Sequence, residues 1–226
     1  MSHITLNVET IGDSTLPAGL YPQPDDFDAP SNYKEPAKIE EYKQNEARSE
    51  MGRFGLAPLT VKIICASYLY EDSDGKYEPI ATIAGDNEAS IVESLLAAIS
   101  SHHAEFPTIV TYNGLQFDIP FIAIAAARCG IMLPVGYRDV LNRYGADHVD
   151  IYSLLSAYGS HKKGKLSDWS LRFGIEPPFG VGNMVTDWFR LGDWDSIKRH
   201  CESNVRCTDE LYKILRAANF LGALRG

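Results

Sequence analysis

The chain has 226 residues, 45% hydrophobic and 23% charged, which is the balance of a folded globular protein and excludes a disordered one. Lys and Arg number 21 against 30 Asp and Glu, and the resulting charge of −9 argues against a protein that coats long duplex through many phosphate contacts. An acidic protein that engages only a strand end stays compatible with that charge.

No apolar run reaches the roughly 18–20 residues that a bilayer span needs. Met1-Ser2-His3 leads straight into a strand pattern, without the basic and apolar regions of a secretory leader, so a cytoplasmic location away from membranes is expected. Cys65, Cys129, Cys201 and Cys207 form no CxxC pair and lie in apolar or helical stretches, as reduced core thiols do.

In chain order, residues 3–9 alternate strictly. Ile4, Leu6 and Val8 face one way, and His3, Thr5, Asn7 and Glu9 the other, which is the period of a strand. A polar segment rich in Pro, Asp, Ser and Gly follows to Pro36, then a charged helical stretch from Ala37 to Met51. Together they form an insertion over about residues 11–57, longer than connections in compact domains usually are.

Val61 to Tyr70 reads as a strand, Asp72 to Gly75 as a turn, and Tyr77 to Ile83 as the returning strand of a hairpin. Asn87 to Ser101 is an amphipathic helix, Pro107 to Tyr112 a strand, and Pro120 to Arg128 a buried helix. Gly145 to Tyr152 holds a short strand. Ser153–Ala157 and Ser167–Phe173 are short helices, and Asp195 to Leu221 is one long helix. Three early strands followed by helix, strand, helix and a helical tail make a mixed α/β sheet covered by helices. That order is the order of ribonuclease H-like folds, here a five-stranded sheet in a single domain spanning residues 1–226.

Three separated segments carry polar groups where apolar scaffolding ends. Asn7 and Glu9 share one strand face and can reach one ion, or simply form an exposed face. Asp118 stands before a helix with Pro120 in its first turn; it is either an N-cap or a site carboxylate at a helix N-terminus. His200 and Asn204, spaced i and i+4, share one helix face, which solvent explains as well as a site does.

Taken together, Asn7-Val8-Glu9-Thr10, Asn113-x-x-x-Phe117-Asp118 and His200-x-x-x-Asn204 resemble the DEDD superfamily of 3′–5′ exonucleases. The similar branch is the one related to the proofreading domain of family B DNA polymerases, whose pattern is Asp-x-Glu-Thr, Asn-x-x-x-Phe-Asp and Tyr-x-x-x-Asp. His148-Val149-Asp150-Ile151-Tyr152 and the run from Lys165 to Gly174 are similar to that branch as well.

The resemblance implies two divalent ions, Mg²⁺ or Mn²⁺, flanking the scissile phosphate. It assigns the metal-binding positions to 7, 9, 118 and 204 and the water-orienting position to 200. Thr10, Asn113 and Phe117 would line the pocket for the terminal nucleotide. The implied substrate is single-stranded DNA or a DNA 3′ end, and the implied partners are replication or repair proteins.

The sequence departs from the pattern at three of these positions. Asn7 and Asn204 stand where Asp is expected, and His200 where Tyr is. Asn keeps the shape of Asp but gives up its charge, so only Glu9 and Asp118 remain as carboxylate metal ligands. The expectation is therefore an exonuclease that is inactive or strongly impaired. The alternative is a degenerate, non-catalytic module that binds nucleic-acid ends or proteins. Asp→Asn is the exchange chosen to silence a nuclease and is also a step of natural drift; His200 fits drift better, and its imidazole can serve as a base near neutral pH. His161-Lys162-Lys163-Gly164-Lys165 is the one concentrated basic run, either a solvated turn or, through Lys162 and Lys163, a contact to substrate phosphates.

Overall fold

The first strand, β1 (His3–Gly12), is buried along nearly its whole length, because one face is aliphatic and the polar face is also covered. The computed structural model describes residues 2–53, 57–101, 106–141, 147–161 and 164–220. The other strands are β2 (Val61–Glu71), β3 (Ala81–Ala84), β4 (Thr108–Thr111) and β5 (His148–Asp150). They form one five-stranded sheet in the order β3-β2-β1-β4-β5. β3 runs antiparallel to β2, whereas β4 runs parallel to β1 and β5 parallel to β4. This is the mixed sheet flanked by helices that the sequence predicts.

The helices are α1 (Pro36–Arg53), α2 (Glu88–Ser101), α3 (Asp118–Arg128), α4 (Tyr137–Val140), α5 (Ile151–Leu155), α6 (Leu166–Arg172), α7 (Val185–Leu191) and α8 (Trp194–Ala217). The chain divides into two compact units, residues 1–9 with 63–226, and residues 10–62. In the smaller unit, α1 packs against a 3-10 turn at Pro24–Asp26, Lys43 pairs with Asp25 at 3.2 Å, and Tyr33 meets Tyr42 edge to face.

In the larger unit, Ile4, Leu6 and Val8 of β1 enter one core with Ile91, Leu95 and Ile99 of α2 and Ile119 and Ile122 of α3. Each such fully buried aliphatic side chain contributes about 1.5–3 kcal/mol. A second cluster joins Val110, Val149, Ile151 and Ile175 to Cys207, Leu211 and Leu215 of α8. The α8 stripe Ile197, Cys201, Val205, Thr208, Leu211, Leu215 repeats every three or four residues, as a helix needs to bury one face.

The start of α8 is fixed locally. Gly192 takes a left-handed φ of 71° to end α7, and the Asp193 carboxylate accepts the Ser196 N–H at 3.1 Å to cap α8. Toward its far end, α8 is tied to β1 through the buried Asp209: His3 Nε2 lies 2.9 Å from its Oδ1, and Lys213 pairs with the other oxygen at 2.8 Å.

Three sequence expectations are sharpened. The returning strand of the hairpin is reduced to an isolated bridge from Tyr77 to Glu71 and then Ala81–Ala84, because Pro79 has no N–H to give to a ladder. β1 runs on past Glu9 to Gly12. The short helices α4 and α7 go unpredicted.

Candidate active site

β1 brings Asn7 and Glu9 to the polar side of the sheet, and α8 crosses that side with His200, Cys201 and Asn204. The Asn7 amide donates to Glu9 Oε1 at 2.8 Å, and the Asn204 amide donates to the same oxygen at 3.1 Å. His200 Nε2 lies 3.6 Å from it. The polar face of β1 is thus no solvated strand face: Glu9 is only 8% exposed and His200 4%.

His200 is held on both sides. Its Nδ1 donates to the carbonyl of Phe179, its ring packs 5.7 Å from that of Trp188, and Asn204 Nδ2 approaches its Nε2 at 3.3 Å. Phe179 is itself pinned, since Ser203 Oγ accepts its N–H at 2.9 Å. Cys201 was missed by sequence reasoning. Its thiol donates to the Asn7 carbonyl at 3.3 Å and receives the Asn7 amide at 3.4 Å, and burial pushes its pKa well above the usual range. Its place on the apolar stripe of α8, one residue from His200, is the only signal the sequence carries for it. The Phe179 carbonyl leaves none, since every residue has one.

Asp118 opens α3, but its carboxylate does not cap that helix. Oδ1 accepts the backbone N–H of Val8 at 2.8 Å, tying α3 to β1 between Asn7 and Glu9. The N-cap position belongs to Phe117, which makes no side-chain cap. Burial lifts Asp118 to a pKa of about 7 against the Val8 hydrogen bond, and the charges of Glu9 and Asp150 add to the lift. Burial also raises Glu9, opposed by His200 and by the two Asn amides.

The loop that delivers Asp118 is built on Asn113, whose φ of 67° lies in the left-handed region. Its N–H donates to Asp150 Oδ1 at 2.7 Å, and its carbonyl accepts the N–H groups of Gln116 and Phe117 at 3.1 Å. Asp150 takes the N-cap position of α5 and receives the Ser153 hydroxyl at 2.8 Å, so it serves both its own helix and the Asn113 turn. Phe117 packs on Phe121 with ring centroids 4.2 Å apart, at the margin of the core. Thr10 follows Glu9 on β1 and is buried. Lys162 and Lys163 lie outside the described residues.

The sequence from residue 56 to residue 225 matches a family model described as a predicted 3′-5′ exonuclease related to the exonuclease domain of PolB. The chain belongs to that exonuclease family. The matched stretch holds Asp118, His200 and Asn204 and starts beyond Asn7 and Glu9. No curated protein matches the chain.

Among solved structures, the fold is similar to E. coli Exonuclease I in complex with a dT13 oligonucleotide. The TM-score is 0.56 at 11% identity, over 100% of this chain and 44% of that one. A second E. coli Exonuclease I complex, with a 5cy-dT13 oligonucleotide, gives 0.54 at 10% identity over 96% and 40%. The exonuclease-family chain thus spans less than half the length of these neighbours, and at such identity the likeness is one of fold.

A family exonuclease takes divalent ions on oxygen ligands. The residues present do not fit a two-ion centre. Asn7 and Asn204 turn N–H groups, not oxygens, toward Glu9, and one oxygen of Asp118 is committed to Val8. Among the described residues no three His, Cys, Asp or Glu side chains are grouped to hold a metal. No helix among them is long and apolar enough to cross a membrane.

Proposed function

We propose that this exonuclease-family chain engages the 3′ end of single-stranded DNA at the cluster of Asn7, Glu9, Asp118, His200 and Asn204, with its metal-dependent hydrolysis strongly impaired. The observation that carries this reading is the pair of amide donors on Glu9 Oε1, at 2.8 and 3.1 Å, where ion-binding carboxylates would be needed. Family membership supports chemistry at a 3′ end. The oligonucleotide held by the structurally similar Exonuclease I supports single-stranded DNA as its substrate class. Thr10, Asn113 and Phe117 line the path of the terminal nucleotide in this proposal, and Lys162 and Lys163 meet phosphates of the strand.

Digestion of a 3′-labelled oligonucleotide in Mn²⁺ tests it. Asn7→Asp/Asn204→Asp restores two negative charges to the cluster and should digest at least about 100-fold faster than the present chain, the equivalent of roughly 2.7 kcal/mol of barrier. A double variant as slow as the parent overturns the reading. The same assay on an RNA strand decides between the two nucleic acids.

A further inference from the structure

The hydrogen bonding at Glu9 Oε1 is closed, and that closure has a consequence for how a strand end is held. An amide that turned its oxygen toward a carboxylate oxygen would set two acceptors face to face, so both Asn side chains present Nδ2 to Glu9. The remaining amide hydrogens are also placed: Asn7 Nδ2 reaches Cys201 Sγ at 3.4 Å, and Asn204 Nδ2 reaches His200 Nε2 at 3.3 Å. A divalent ion on Glu9 Oε1 would require both amides to rotate and offer Oδ1. That rotation strips Glu9 of both donors and breaks the links to Cys201 and His200.

A second observation comes from the turn that leads to Asp118. Asn113 Oδ1, in that turn, is buried with no hydrogen-bond partner among the described residues. It is an acceptor that a hydroxyl of a terminal nucleotide can fill without any ion.

We propose that Asn7 and Asn204 take over the role of a divalent cation on Glu9, so that this site holds a nucleic-acid 3′ end without metal. The inference rests on the 3′-end reading above and adds the manner of binding to it. The amides satisfy Glu9 Oε1 by hydrogen bonds, and the end is read by neutral polar groups.

Fluorescence anisotropy of a labelled dT oligonucleotide with a free 3′ hydroxyl tests the proposal, with the full chain in EDTA and in Mn²⁺. The Kd should agree within about 2-fold between the two conditions, and a circular dT oligonucleotide should bind at least 10-fold more weakly. Asn7→Asp/Asn204→Asp should bind the linear strand at least 10-fold more weakly in EDTA and recover in Mn²⁺. Binding by the present chain only in Mn²⁺ overturns the metal-free inference and leaves the 3′-end reading standing. Absence of binding in both conditions, or equal binding of the circle, overturns the 3′-end reading and this inference with it.

A thermal melt keeps the test decisive if the double variant folds poorly. The Tm of the unsubstituted chain should not move on adding Mn²⁺; a saturable rise in Tm would mean that an ion does bind and would overturn the proposal.

Discussion

His200 donates from Nδ1 to the backbone carbonyl of Phe179, and this single bond decides what its other nitrogen can do. With Nδ1 turned to that carbonyl, Nε2 faces Asn204 and Glu9. The ring is thus oriented by a backbone group of a different segment, at the position where the sequence pattern expects a Tyr. In the Asn7→Asp/Asn204→Asp background, His200→Ala should slow single-turnover digestion by about 100-fold or more, the low end of what a positioned base supplies. Oligonucleotide affinity should hardly change. Undiminished digestion by the triple variant would remove His200 from the chemistry.

Asp150 should matter more than a helix cap usually does. Asp150→Ala leaves the Asn113 N–H without its acceptor in a backbone already held at positive φ, and it frees the Ser153 hydroxyl. A buried donor left unsatisfied costs about 1–3 kcal/mol. Urea denaturation should show that loss, and the 3′-end affinity should fall with it because the same turn delivers Asp118. Loss of stability alone would confine Asp150 to capping α5.

Much of this site is legible in the sequence, and the part that is not has physical reasons. Alternation in residues 3–9 places Asn7 and Glu9 on one face, and helical spacing places His200 beside Asn204; both relations are local and both hold. The function of the Asp118 side chain is not local. An Asp at a helix start reads as a cap, and only the packing of α3 on β1 shows its carboxylate bound to the Val8 N–H. Cys201 looks like one more apolar residue of the α8 stripe until the fold lays Asn7 against it. Asn7 and Asn204 are visible as departures from a pattern, but their shared acceptor is not.

Acid should unfold the protein partly through His148. The ring is buried, Nε2 is paired with Thr111 Oγ1 at 2.8 Å, Nδ1 has no partner among the described residues, and burial lowers the pKa from 6.5 to about 4. The folded state therefore binds fewer protons than the unfolded state between those values. The resulting stability is present above pH 6.5 and is lost as pH falls toward 4, up to about 3 kcal/mol at 1.36 kcal/mol per pKa unit. His148→Gln keeps a bond to Thr111 and cannot titrate, so its stability should decline less over that range in denaturant titrations at successive pH values. Parallel pH profiles for the two proteins would exclude His148 as the source.

A second acid-sensitive device sits where β1 meets α8. Burial pushes the carboxyls of Glu71 and Asp209 up, but their partners outweigh it: Tyr77, Arg216 and His3 hold Glu71 below its usual range, and His3 and Lys213 hold Asp209 there. Such depressed carboxyls contribute stability above their unfolded pKa near 4 that fades as pH drops further. His3 Nε2 bonds Asp209, whereas Nδ1 lies 3.3 Å from Glu71 without hydrogen-bond alignment, so the ring is wedged between two acids. His3→Ala removes one partner from Asp209 and one from the vicinity of Glu71 while Arg216, Tyr77 and Lys213 remain, and should cost about 1–3 kcal/mol. Differential scanning calorimetry at neutral pH measures it, and a shift in Tm below 3 °C would show that the wedge is dispensable.

Bonds between residues far apart in sequence complete this cluster. β1 leaves the ribosome long before α8 does, yet Asn7 needs Cys201, Glu9 needs Asn204 and His3 needs Asp209. Until α8 emerges, the polar side of β1 has no cover, and its donors and acceptors remain open to any other strand or helix that passes. The site is therefore the last part of the larger unit to be assembled during synthesis. A nascent chain stalled before Asp193 holds every strand of the sheet and none of the contacts that α8 makes with Glu9.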